Sequence, residues 1–176
     1  DLPALKNGFI TLGSFNKSSK ISRETLLLWA KILKQTPNAR LLIKGQGFEK
    51  PAIKKECYNT LTKAGIFSNR FDIIGKSSKY EHLQACHNVD IALDPFPYSG
   101  GISTLETLWM GIPVVTLFNE SNLAQRHGKH LLKPLKLEDW TAYSKSEYID
   151  IIKNKTQNLE RLALTRQDLR SLVFEA

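Results

Sequence analysis

Two adjacent glycines, Gly100 and Gly101, precede a helix-like run in the stretch PYSGGISTLETLW, residues 97–109. Without a Cβ, both let a ligand come close to the backbone. If the helix begins at Gly101 or Ile102, its first N–H groups lack internal partners and can hold an anion, helped by the helix dipole. Ser103 adds a hydroxyl. Glu106 lies about one turn further on, on a face adjoining the same place. A carboxylate there repels phosphate but accepts hydrogen bonds from neighbouring sugar hydroxyls, so a nucleoside diphosphate with its ribose fits better than inorganic phosphate. The plain alternative is a helix capped by Ser99 or Ser103, with Glu106 as an ordinary first-turn acid. Spacing alone leaves both readings open. The stretch is neither a dinucleotide fingerprint nor a Walker loop, because its glycines are adjacent and no Gly-Lys-Ser/Thr follows.

Further candidates sit on other loops. In FNKSSK, Lys20 offers a mobile point charge for phosphate; Lys17 is a second cation, and Asn16 either braces the loop or reaches a ligand. In KYEH, His82 offers a ring to stack on a base, and Lys79 a donor to ribose or phosphate. Each has a bland counterpart, a solvated lysine or a histidine at a helix start. Asp94 is placed to accept backbone N–H bonds from the loop after it. Trp109 and Met110 read as core, and Cys86 as packing. Arg126 and His127 either line a pocket or cover surface. No nucleophilic triad and no pair of catalytic carboxylates is evident.

These residues need a frame that brings distant loops together. Short apolar runs at FITLG, ARLLI, RFDII, VDIAL and IPVVTL, beginning at residues 9, 39, 70, 89 and 112, predict five strands. Between them the pattern predicts helices from Ser22 to about Gln35, from Pro51 to near Gly65, and from Tyr80 to Cys86. A last helix is predicted over roughly Asn158–Leu172. The stretch 121–146 has no clear periodicity. Alternation of strands and helices predicts an α/β domain, a Rossmann-like three-layer arrangement around a parallel sheet. Ligands of such sheets bind beyond the carboxyl ends of the strands. The loops 14–20, 44–50, 75–79 and 94–100 should meet there.

The chain has 176 residues, enough for one domain over 1–176. A formal charge of +8 suits an anionic ligand. The basic residues are dispersed, without an interleaved aromatic platform, which argues against nucleic acid. Two Cys, 57 and 86, have neither disulfide-scaffold nor metal-site spacing. No apolar run is long enough for a membrane span, and no secretory signal is seen, so a cytoplasmic location is expected. The chain opens at Asp1 and its one Met is Met110, which suggests a piece of a longer protein.

Taken in order, ITLGSFNKSSKIS, LLLWAKILKQTPNARLLIKG, Lys79 with EHL, VDIALDPFPYSGG, LETLWMGIPVVTL and SEYIDI resemble the carboxyl-terminal catalytic lobe of the O-linked N-acetylglucosamine transferase family, in particular bacterial members with tetratricopeptide repeats. The resemblance runs from about Gly8 to Leu172. It implies the C-terminal lobe of a two-lobed GT-B glycosyltransferase and inverting transfer without cofactor or bound metal. The implied donor is UDP-N-acetylglucosamine or another UDP-sugar, and the acceptor a protein serine or threonine. Relatives acting on asparagine, glycan or lipid, and a non-catalytic scaffold, are the alternatives.

By the same resemblance, Lys20 contacts the diphosphate and is the catalytic cation. His82 lies beside the uracil and Lys79 near the ribose. Gly100, Gly101, Ile102 and Ser103 hold the diphosphate, and Glu106 stands for a ribose-binding aspartate. Asn16 and Lys17 complete the substrate-binding set. Ile102 departs from the threonines usual after the glycines, Glu106 is one methylene longer than aspartate, and Lys17 replaces a glutamine or asparagine. The first lobe and the acceptor-binding repeats are absent from these residues. Donor binding with little or no transfer is therefore expected of them alone.

Overall fold

The computed structural model describes all residues from Asp1 to Ala176. The apolar runs pair into one six-stranded sheet: β1 (Ile10–Ser14), β2 (Ala39–Lys44), β3 (Phe71–Ile74), β4 (Ile91–Leu93), β5 (Val114–Leu117) and β6 (Thr141–Ala142). Their spatial order is β3-β2-β1-β4-β5-β6, and every pairing is parallel. All residues of β1, β4 and β5 are buried, as expected of strands covered on both faces.

The helices are α1 (Pro3–Asn7), α2 (Arg23–Gln35), α3 (Pro51–Lys63), α4 (Lys79–Cys86), α5 (Ile102–Trp109), α6 (His127–Leu132), α7 (Lys145–Gln157) and α8 (Leu159–Glu175). Local chemistry fixes their starts. Ser22 accepts the Thr25 N–H at 3.0 Å to cap α2, and Pro51 opens α3. Ser78 and Glu81 form a reciprocal capping box on α4. From β1 the chain winds outward through α2 and α3 to β2 and β3, and from β4 it winds the opposite way through α5 to β5, so right-handed crossovers put α2 and α3 on one face of the sheet and α5 on the other. Trp29 of α2, Tyr148 of α7, and Leu12, Ile43 and Ile91 of the strands are fully buried between the layers.

Three readings change. β6 and α6 lie in the stretch that carried no periodicity, and α1 was not anticipated at all. β4 begins at Ile91 rather than Val89, because the Asp90 carboxylate takes the N–H groups of Thr11 and Ala4 at 2.8 Å each. Trp109 is not core: it is 42% exposed and packs against Phe174.

The strand order reverses between β1 and β4. This is the switch point where the loops leaving two neighbouring strands diverge and open a crevice at their carboxyl ends. The β1 loop carries Asn16, Lys17 and Lys20, and the β4 loop carries Asp94 to Gly101. An isolated antiparallel bridge between Ile21 and Pro97 ties the two loops together.

Candidate functional site

The β4 loop is built around Asp94, which is 1% exposed. Its Oδ1 accepts the backbone N–H of Gly100 at 2.6 Å and the hydroxyl of Thr104 at 3.2 Å. Its Oδ2 accepts the Thr116 hydroxyl at 2.7 Å. Burial pushes the carboxyl up to about 6, against the pull of these three bonds and of the Lys20 charge. From behind, the Tyr148 hydroxyl donates to the Asp94 carbonyl at 3.1 Å. A Cβ on Gly100 would lie 2.2 Å from Thr104 Oγ1 and 3.0 Å from both Asn16 Oδ1 and Asp94 Oδ1. Only glycine fits there.

Gly101 is the N-cap of α5, with φ +61° and ψ −113° and no side-chain cap. That conformation is essentially restricted to glycine. The capped-helix alternative therefore fails. Ser99 instead turns its hydroxyl to the Ala124 carbonyl at 2.6 Å, and Ser103 does not cap. The first bond of the helix runs from Leu105 N–H to the Gly101 carbonyl. The N–H groups of Ile102, Ser103 and Thr104 have no acceptor within the chain. They form the free positive end of the helix dipole.

Lys20 crosses the switch point to reach this end. Its Nζ donates to the carbonyls of Ser99 and Gly100, each at 3.0 Å. An ammonium has three donors, so one remains for a ligand. Asn16 is 5% exposed, donates to Ser14 Oγ at 3.3 Å, and leaves its buried Oδ1 without a partner. Lys20, Asn16, Gly100 and the α5 amino end are thus brought together. Ile102 is 77% exposed and offers only its backbone N–H.

The second cluster lies over the ends of β1 and β2. His82, half-buried on α4, meets Phe15 edge to face with ring centroids 5.3 Å apart. Burial first, then the Lys44 charge, lowers the imidazole below its ordinary value; the Glu106 carboxylate acts in the opposite sense. At neutral pH the ring is therefore uncharged, which suits stacking on a base. Lys17, on the β1 loop, and Lys79, the first residue of α4, are exposed and make no side-chain hydrogen bond. No three His, Cys, Asp or Glu side chains are grouped so as to hold a metal ion.

The sequence reading missed Lys44. It ends β2 and is 3% exposed, and its ammonium donates to Ser77 Oγ at 2.6 Å and the Gly75 carbonyl at 3.3 Å. Its position at the end of a strand of buried residues was the available signal. At the opposite, amino end of β1 and β2, a cavity of about 290 Å³ is lined by Ala4, Ile10, Pro37 and Leu159, with Lys153 its one charged side chain. It lacks the converging donors of the switch point.

Fold and site together define a Rossmann-like lobe of GT-B type. Residues 3–175 match the profile of Glycosyl transferase family 41, and the chain belongs to that family. It is 37% identical over 172 residues to an Arabidopsis thaliana protein named as a probable UDP-N-acetylglucosamine–peptide N-acetylglucosaminyltransferase SPINDLY, covering 97% of this chain and 19% of that one. A solved structure of a mutant Thermobaculum terrenum O-GlcNAc transferase superposes with a TM-score of 0.90 at 36% identity, covering 99% of this chain and 34% of that one. The C-terminal domain of a Francisella tularensis group 1 glycosyl transferase shares the fold, at a TM-score of 0.71 and 16% identity over 98% of this chain and 90% of its own. The chain spans about a fifth of the length of the curated relatives. No helix is long and apolar enough to cross a membrane.

Proposed function

We propose that residues 1–176 form the nucleotide-sugar-binding lobe of an inverting glycosyltransferase. In this reading the whole protein moves N-acetylglucosamine or another hexose from a UDP-sugar to a protein serine or threonine in the cytoplasm. One observation carries it: the Lys20 ammonium and the free N–H groups at the start of α5 converge where the β1 and β4 loops part. Breaking the sugar–phosphate bond leaves negative charge on the departing diphosphate. Lys20 and fixed N–H dipoles stabilise that charge without reorganising. Lys20 is the catalytic cation, Gly100 to Ser103 form the cradle, and Asn16 and Lys17 flank it. The neutral His82 ring lies beside the base, with Lys79 and Glu106 on the ribose hydroxyls. The acceptor and its activating group come from parts of the protein outside these residues.

Calorimetric titration with UDP, UDP-N-acetylglucosamine, UDP-glucose and GDP tests the reading. UDP and its sugars are expected to bind, and Lys20→Ala and His82→Ala to weaken them about tenfold or more. Absence of nucleotide binding by the folded chain would sink it, and a clear preference for GDP would replace the donor. Efficient protein glycosylation by these residues alone would contradict the single-lobe reading.

A further inference from the structure

The chain's two ion pairs are Lys145–Glu24 and Lys155–Asp139; the buried Lys44 has no carboxylate partner. Burying an ammonium is costly unless acceptors surround it. Lys44 has two, Ser77 Oγ and the Gly75 carbonyl, and its third donor has no acceptor in the chain. Both acceptors belong to the loop joining β3 to α4, which continues directly into the Ser78 cap and the helix that carries His82. The Gly45 N–H donates to the Ile74 carbonyl at 3.1 Å, so the ends of β2 and β3 are fixed against each other and hold the lysine in place. A cation with an unspent donor therefore underlies the loop beside which the base would lie.

We propose that Lys44 determines base specificity: its ammonium fixes the Gly75–Ser78 loop and favours a base that presents a carbonyl oxygen there, as uracil and guanine do, over one that presents an amino group, as cytosine and adenine do. The inference rests on the nucleotide-binding reading above, with the base beside His82. Lys44's field reinforces the neutral state of that imidazole, which leaves the ring uncharged for stacking on the base. A keto base offers a ring N–H next to its carbonyl. Cytosine and adenine carry an acceptor nitrogen and an amino group in those places. The amino group would be turned towards a cation, and the site's buried polar groups would go unpaired.

The test measures dissociation constants of UDP, CDP, GDP and ADP for the wild-type chain, Lys44→Met and Lys44→Arg, with thermal unfolding as a check on folding. Comparing UDP with CDP, and GDP with ADP, holds base size constant. Wild type should prefer the keto member of each pair by about tenfold or more. In Lys44→Met, affinity for UDP should fall about tenfold and that for CDP stay unchanged, whereas Lys44→Arg keeps the preference. A wild type indifferent to the keto–amino difference would overturn the proposal, as would equal weakening of UDP and CDP in Lys44→Met. If Lys44→Met does not fold, the wild-type ratios and Lys44→Arg decide. Failure of wild type to bind any of the four would instead remove the nucleotide-binding reading, and this proposal with it.

Discussion

The buried carboxylate of Asp94 holds the backbone N–H of Gly100 at 2.6 Å, while Lys20 holds the Gly100 carbonyl at 3.0 Å from the other side. One peptide segment at the switch point is therefore gripped by an anion below and a cation above. The grip leaves the following N–H groups of α5 pointing at no acceptor of the chain. Preorganisation of this kind lets a site act on charge without moving.

The Asp94 carboxyl is raised by burial from 3.8 to about 6. Its folded value exceeds its unfolded one, so the folded chain binds this proton more tightly. The resulting stabilisation is complete below pH 3.8 and is lost as pH rises to about 6. Asp94→Asn removes the titration and keeps an acceptor for Gly100. Relative to wild type, its stability should therefore rise by on the order of 3 kcal/mol between pH 3.5 and pH 7, measured by urea unfolding at the two pH values.

The two glycines should fail differently. Gly100→Ala drives a Cβ into Thr104, Asn16 and Asp94, whereas Gly101→Ala has open space and suffers only from its backbone angles. Gly101→Ala should cost about 1–3 kcal/mol of stability. Gly100→Ala should in addition displace the Lys20 contacts and reduce UDP binding at temperatures where it remains folded. Equal effects of the two on binding, at matched folding, would contradict the crowding argument.

In the proposed reading Lys20 serves the phosphates and His82 the base. Lys20→Ala should reduce UDP affinity about tenfold to a hundredfold while leaving weak uridine binding unchanged. His82→Ala should reduce both. Lys20→Ala also removes the hydrogen bonds to the Ser99 and Gly100 carbonyls, so it should cost about 1–2 kcal/mol of stability, and affinities are compared at a temperature where both chains are folded.

Ile102 is the first residue of α5 and is largely exposed, so replacing it disturbs no packing. Ile102→Thr adds a hydroxyl at the free helix end and should raise UDP affinity by about threefold to tenfold. An unchanged dissociation constant would show that the diphosphate does not pass this residue.

The frame and half of the candidate site were legible in the sequence for one reason. Parallel strands buried on both faces announce themselves as unbroken Val, Ile and Leu runs, and the ends of those runs locate the loops that bear function. Asn16, Lys20 and the paired glycines were found that way. Lys44 was not, since a lysine closing a strand reads as the start of a solvated loop unless the neighbouring strand's loop is known to fold over it. β6 is two residues long and α6 six, too short for periodicity to register. The choice between a serine cap and a free helix end turned on where Ser99 spends its hydroxyl, on Ala124, a partner 25 residues away.

In the proposed reading the unpaired N–H groups at the start of α5, together with Lys20, receive a nucleoside diphosphate. Amide resonances followed during UDP titration of the isotopically labelled chain test it most directly. The largest saturable shifts are expected at Gly101, Ile102, Ser103 and Thr104, with further shifts at Phe15 and His82, and loss of the first group in Lys20→Ala. Saturable UDP binding that leaves residues 101–104 unperturbed, or that persists unchanged in Lys20→Ala, would contradict it.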